Sequence, residues 1–157
     1  MTIKRTYKPS ALDGDAETEL HGEAWRGDVL RAKRLIEAGA SVNHVNTAGE
    51  TPLHGAAAWG HSAMVKFLLS VGARHDIPGT LGTTPLHWAA GWGNLRTVKV
   101  LVGAGADLAA RNKFGRTPAQ IARQHGRVKI AEFLEKAQLT PRLRGTRRKR
   151  SAHQRNV

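Results

Sequence analysis

Thr84-Pro85-Leu86-His87 stands thirty-three residues after Thr51-Pro52-Leu53-His54 and thirty-three before Thr117-Pro118-Ala119-Gln120. A chain that returns to the same pattern at a fixed step cannot be organised around one irregular interior. Each unit must bury its apolar face against the next copy of itself. The same step back from Thr51 lands on Thr18-Glu19-Leu20-His21, so four copies run without a gap over residues 13–45, 46–78, 79–111 and 112–140.

Within a unit, offsets from the threonine predict the local structure. Apolar residues fall two, five and six places on, as Leu53, Ala56, Ala57 and Leu86, Ala89, Ala90, which is the one-sided stripe of a short helix. The threonine is a natural N-cap, and proline fits the first helical position, where its missing N–H removes no helical bond. Nine places after the threonine comes Gly27, Gly60, Gly93 or Gly126; glycine accepts the left-handed conformation that ends a helix, so the first helix should stop there. A second stripe follows, Met64, Val65, Phe67, Leu68, Leu69 in one copy and Val98, Val100, Leu101, Val102 in the next, closed by Gly39-Ala40, Gly72-Ala73 or Gly105-Ala106. Helices this short do not stand alone in water, so stacking between units must supply the stability.

This pattern resembles the ankyrin repeat, whose signature is the thirty-three-residue period with Thr-Pro-Leu-His-x-Ala. The resemblance covers about four-fifths of the chain. It implies an all-α fold, an ankyrin-repeat α-solenoid of helix-turn-helix units joined by β-hairpin-like loops, with the loops and first helices forming a concave binding surface. Departures cluster in the outer copies: Glu19 for proline, Glu23 for alanine and Ala16 for the loop glycine in the first, and Gln120 for histidine, Arg123 for alanine and Glu135 in the last. These read as polar capping units, since a terminal repeat turns one face to water.

Charge separates the repeats from the ends. Residues 141–157 carry seven basic residues and no acid, and residues 1–12 carry three and no acid, so ten of the net +13 lies outside the repeats. The first twelve residues read as a flexible basic arm and residues 141–157 as a disordered basic tail. With no cysteine in the chain, thiolate metal sites and disulfides are excluded. No run of about 18 apolar residues exists to span a membrane. Catalysis finds no foothold: the serines lack a nucleophile's setting, no carboxylate pair faces a cleft, and Gly103-Ala104-Gly105 is only the loop that closes a repeat. No cofactor or metal is expected, and evenly spaced His21, His54 and His87 are read as loop-fixing rings rather than ligands, because packed helices lie about 8–10 Å apart and cannot share one ion. The expectation is a monomeric intracellular protein, cytoplasmic, or nuclear in a eukaryotic host.

Candidate binding residues are sought where the copies differ. Trp59 and Trp92 both lie eight places after their threonine; His125 holds that place in the last copy, and Trp25 sits one residue earlier in the first. In arrays of the resembled family such places face the concave groove. Leu81 and Phe114, three before their threonines, are apolar where a solvated loop would favour polar residues. Two readings of this set compete: rings covering a neighbour's apolar surface, or a row of exposed aromatics that binds another protein. Trp88, four after its threonine, is placed between helices. The tail residues Arg142, Arg144, Arg147, Arg148, Lys149 and Arg150 fit a solvated terminus, a nuclear import signal, or an arm that binds RNA or DNA phosphates; Ser151, three after Arg148, resembles a basic-directed kinase site. The protein-binding groove is the leading reading and the nucleic-acid-associated tail is the alternative.

Overall fold

The structure, a computed structural model, describes the backbone of residues 16–151 and the side chains of residues 19–140. Eight helices follow in order: α1 (Ala16–Arg26), α2 (Val29–Glu37), α3 (Pro52–Ala58), α4 (Ser62–Ser70), α5 (Pro85–Gly91), α6 (Leu95–Gly103), α7 (Pro118–Gln124) and α8 (Val128–Ser151). The odd-numbered helices pack side by side in one layer, α1 on α3, α3 on α5, α5 on α7, and the even-numbered ones form a second layer behind them. This is an all-α array of four paired units.

The threonine-proline start works as expected. Thr51, Thr84 and Thr117 are extended N-caps, each followed by proline in the first turn and each closing a capping box with the residue three places on. His54 Nδ1 accepts the Thr51 N–H at 3.0 Å and His87 Nδ1 accepts that of Thr84 at 3.1 Å. In the last unit Gln120 Oε1 performs the same task for Thr117 at 2.9 Å. The stripes bury Leu53, Ala56, Ala57, Leu86, Ala89, Ala90, Ala119 and Ala122 between the layers, against Met64, Val65, Leu68, Val98, Leu101, Ile130, Ala131 and Leu134. Small residues on the first helices let neighbouring helices approach closely, and the larger ones on the second helices fill the space between layers.

One turn glycine departs from the expectation. Gly27, Gly60 and Gly126 take positive φ, but Gly93 does not. It is needed for space instead: a Cβ there would lie 2.5 Å from the Ala57 carbonyl oxygen and 2.8 Å from that of Ala89, far inside van der Waals contact.

The loops between units rise as three fingers, Asn46–Glu50, Gly79–Thr83 and Asn112–Arg116. Two backbone bonds close each: Asn46 N to Glu50 O (2.9 Å), Gly79 N to Thr83 O (2.7 Å) and Asn112 N to Arg116 O (3.1 Å), with Gly49 N, Gly82 N and Gly115 N donating back to the carbonyls of Asn46, Gly79 and Asn112 at 2.9, 2.8 and 2.9 Å. Neighbouring fingers are tied together: Lys113 N donates to Leu81 O at 2.9 Å, and the Thr80 hydroxyl to the Ala48 carbonyl.

The capping units are polar in a different way from the one expected. Glu23 is buried rather than turned to water. Its Oε1 accepts from Arg26 Nη1 at 2.7 Å, with Arg31 at 3.7 Å, so the neighbouring guanidinium groups offset the cost of taking that charge out of solvent. At the other end Arg123 and Glu135 form a two-pronged pair, both contacts 2.7 Å, on the exposed surface. Helix α8 does not stop at Pro141; its backbone stays helical to Ser151. The side chains of the basic tail, Arg142 to Arg150, lie outside the described residues, as do residues 1–15 and 152–157.

Candidate protein-binding groove

Three stitches hold the ends of the first helices in register. The residue after each turn glycine reaches back to the turn of the preceding unit. His61 Nε2 donates to Trp25 O at 2.9 Å, Asn94 Nδ2 to Gly60 O at 2.8 Å, and Arg127 to Gly93 O at 2.6 Å and Trp92 O at 3.1 Å. Carbonyls at the helix ends gain side-chain donors in this way, and the backbone beside each aromatic ring is fixed to the next repeat.

A second set of bonds ties each first helix to the finger ahead. His21 Nε2 lies 2.9 Å from Glu50 O, His54 Nε2 3.1 Å from Thr83 O, and His87 Nε2 2.9 Å from Arg116 O. Because Nδ1 of His54 and His87 already accepts a backbone N–H, the proton sits on Nε2 and is donated to the finger carbonyl. Burial holds the His54 imidazole down at about 4, well below its ordinary 6.5, and lowers that of His87 by the same cause. These rings are neutral structural groups. Among the described residues no cluster of potential metal ligands occurs.

The tryptophans divide by offset. Trp25, seven after its threonine, is half-buried and packs against Gly55, where a Cβ would come within 2.2 Å of its Cδ1. The same offsets put Gly91 against Ile121, whose Cγ2 would be 3.0 Å from a Cβ on the glycine. At these two junctions a large side chain is matched by a glycine. Trp59 and Trp92, one residue further on, project past this seam and remain 49% exposed each.

The rings gather into two groups. Trp25 and Trp59 are 5.6 Å apart at an interplanar angle of 56°. Trp92 touches Trp88 at 4.8 Å and His125 at 4.6 Å, tilted by 40° and 52°. Trp88, placed between helices by its sequence position, therefore also supports a surface ring; its buried Nε1 has no hydrogen-bond partner.

Opposite the helix ends stand the fingertips, with Leu81 46% and Phe114 65% exposed. Asn112 Oδ1 accepts from both Phe114 N and Arg116 N at 3.0 Å, which sets the tip so that Phe114 is presented to solvent. The Arg116 guanidinium reaches Gln124 at the end of α7, so finger and helix end face each other.

These units match a family model of ankyrin repeats, three copies, over residues 20–112 and 75–142. The chain is an ankyrin-repeat protein. No curated protein matches it. Ankyrin repeats are typically protein–protein interaction modules and generally non-catalytic, and no enzyme family was found. Among the described residues no helix is long and apolar enough to cross a membrane.

The sequence missed the seam. Gly55 interrupts a helix in which its counterpart is Trp88, and that was the available signal: a glycine four places after a capping threonine, with a tryptophan seven after the preceding one.

Proposed function

We propose that this ankyrin array binds a partner protein in the groove between its fingers and first-helix ends, with Trp59 and Trp92 as the principal anchors. Leu81 and Phe114 flank them from the fingertips, His125 extends the aromatic surface at one end, and Trp25, half-buried in the seam, backs Trp59 at 5.6 Å. The observation that carries the reading is that two tryptophans at one offset in consecutive repeats are each 49% exposed on backbone stitched to the neighbouring unit. Holding large aromatics rigid and half-solvated costs solubility in the free protein, whereas on binding they lose little entropy and bury much area. Replacing both, Trp59→Ala with Trp92→Ala, should weaken capture of the partner by more than about 2 kcal/mol while the helical melting transition stays in place. Loss of cooperative folding in that variant would assign the rings to the scaffold.

For the tail, seven basic residues without an acid in residues 141–157 support a second role, contact with anions or direction to a compartment. If it holds nucleic acid, binding to RNA or DNA falls steeply with salt and vanishes when residues 141–157 are removed.

A further inference from the structure

The groove is not uniform along its length. Finger Asn46–Glu50 carries one charge, the carboxylate of Glu50; finger Gly79–Thr83 carries none; finger Asn112–Arg116 carries Lys113 and Arg116, with Arg111 beside it. Arg26 and Arg123 on the first helices and Arg74 in a loop are neutralised, by Glu23, Glu135 and Asp76, while Arg34 and Arg96, on the second helices of the other layer, are exposed without an ion pair among the described residues. The cations of the third finger are not neutralised either. Arg111 donates to the Gly115 carbonyl at 2.7 Å and Arg116 to the neutral amide of Gln124. Among the described residues none of the three forms an ion pair. These neutral acceptors orient the guanidinium groups and leave their charge uncompensated.

We propose that the groove's occupant is an extended acidic peptide segment, its apolar side chains on Trp59 and Trp92 and its carboxylates over the third finger. This inference rests on the groove reading above and adds the chemistry and direction of the ligand. Charge complementarity selects the acidic class, and the confinement of charge to one end selects a peptide over a nucleic acid. A single strand carries phosphate at every step and needs a cationic groove along its whole track, whereas two of the three fingers here offer no cation and one offers an acid. The rings argue the same way. They lean on one another at 4.6 to 5.6 Å with tilts of 40° to 56°, leaving an apolar floor rather than parallel slots that admit a flat base.

Spacing adds a prediction. Successive first helices lie about 8–10 Å apart, and an extended chain of the polyproline II kind rises about 3.1 Å per residue with three residues per turn, so one repeat corresponds to about three peptide residues, and side chains three apart point the same way. The recognised pattern is two aromatic or large aliphatic residues three apart, with aspartates or glutamates beginning about three residues beyond the one on Trp92.

The test is selection of random twelve-residue peptides displayed on phage against three intact proteins: the natural chain, Lys113→Glu with Arg116→Glu, and Trp59→Ala with Trp92→Ala, each checked for an unchanged helical melt. The natural chain is expected to enrich peptides with the apolar pair and acids on one side only. A synthetic peptide of that pattern should bind the finger variant at least about tenfold more weakly, and its lysine analogue should bind that variant better than it binds the natural chain. Both proteins keep the basic tail, so the difference reads the finger alone. Selected peptides without acidic enrichment, or with the same enrichment on the finger variant, would overturn the acidic assignment while leaving the groove in place. Enrichment that survives the tryptophan substitutions would overturn the groove itself. A twelve-nucleotide single-stranded RNA that displaces the peptide and loses its affinity with the tryptophans would reassign the groove to nucleic acid.

Discussion

Trp25 and Trp92 belong to the same row of aromatics along one side of the array, yet they live in two different regions. Trp25 lies in the seam between α1 and α3, against Gly55. Trp92 stands on the rim, half in solvent. One residue of offset on a helix is about 100° of rotation, enough to turn a ring from the neighbouring helix toward the groove. Seam residues are therefore expected to carry stability and rim residues recognition, and each substitution should move one quantity and spare the other.

The largest effect expected in the seam is a response to acid. His54 is held at about 4 against an ordinary 6.5, so it stays neutral in the fold while the unfolded chain takes up a proton first. Its contribution is complete above about pH 6.5 and is lost progressively down to about pH 4, amounting to on the order of 3 kcal/mol, with His87 adding in the same direction. Urea unfolding followed across that range should show the fall. His54→Gln should flatten it, because glutamine completes the cap as Gln120 does but does not titrate. An unchanged slope in that variant would mean other groups carry the acid sensitivity.

Next comes the packing of the seam. Gly55→Ala puts a methyl where Trp25 already lies and should cost about 2 kcal/mol. The same change made in a Trp25→Ala background should cost far less, since the ring that opposes it is gone. Equal costs in both backgrounds, measured as a double-mutant cycle, would show that the glycine answers to its own helix rather than to Trp25.

The comparison of the rings themselves is smaller but more direct. Trp25→Ala should lower stability by about 2 kcal/mol, while Trp92→Ala should change it by less than about 1 kcal/mol and weaken partner binding instead. Similar melting temperatures for the two variants would erase the distinction between seam and rim.

The smallest effect is expected at the C-terminus. Among the described residues Leu134 is the last that is fully buried, and Gln138, donating to Leu108 O at 2.6 Å, makes the last described bond from α8 to the rest of the array. Removing residues 141–157 should leave thermal unfolding within about 0.5 kcal/mol of the intact chain, because the buried residues described in α8, Ile130, Ala131 and Leu134, all precede the cut.

Much of this was legible in the residues. The period and the apolar stripes follow from local physics repeated four times, and the Thr-Pro caps from physics repeated three times, so each copy corroborates the others; in the first copy, which has Glu19 for proline, α1 starts at Ala16 and Thr18 lies inside it. The site was half legible: Trp59, Trp92, Leu81 and Phe114 could be picked out because they vary where the motif does not, and all four prove exposed. What they bind is proposed above and awaits its test. The pairing of Trp25 with Gly55 joins residues thirty apart in sequence, and no local rule reports it. Gly93 misled the reading because a glycine fits both a left-handed turn and a crowded approach, and only the neighbouring carbonyls of Ala57 and Ala89 show which applies. Glu23 misled it because a charged residue in a terminal unit ordinarily faces water, while here Arg26 lets it stay buried.

By itself, then, the sequence determined the architecture of this ankyrin-repeat protein: four stacked units, the last three capped in the same way, because a repeated local pattern admits one repeated packing solution. Which of its aromatics became scaffold and which became surface was decided only in the tertiary structure. That choice depends on the partner each ring meets in the next repeat, a glycine under Trp25 and open solvent beside Trp59 and Trp92, and such pairings form only when the units stack.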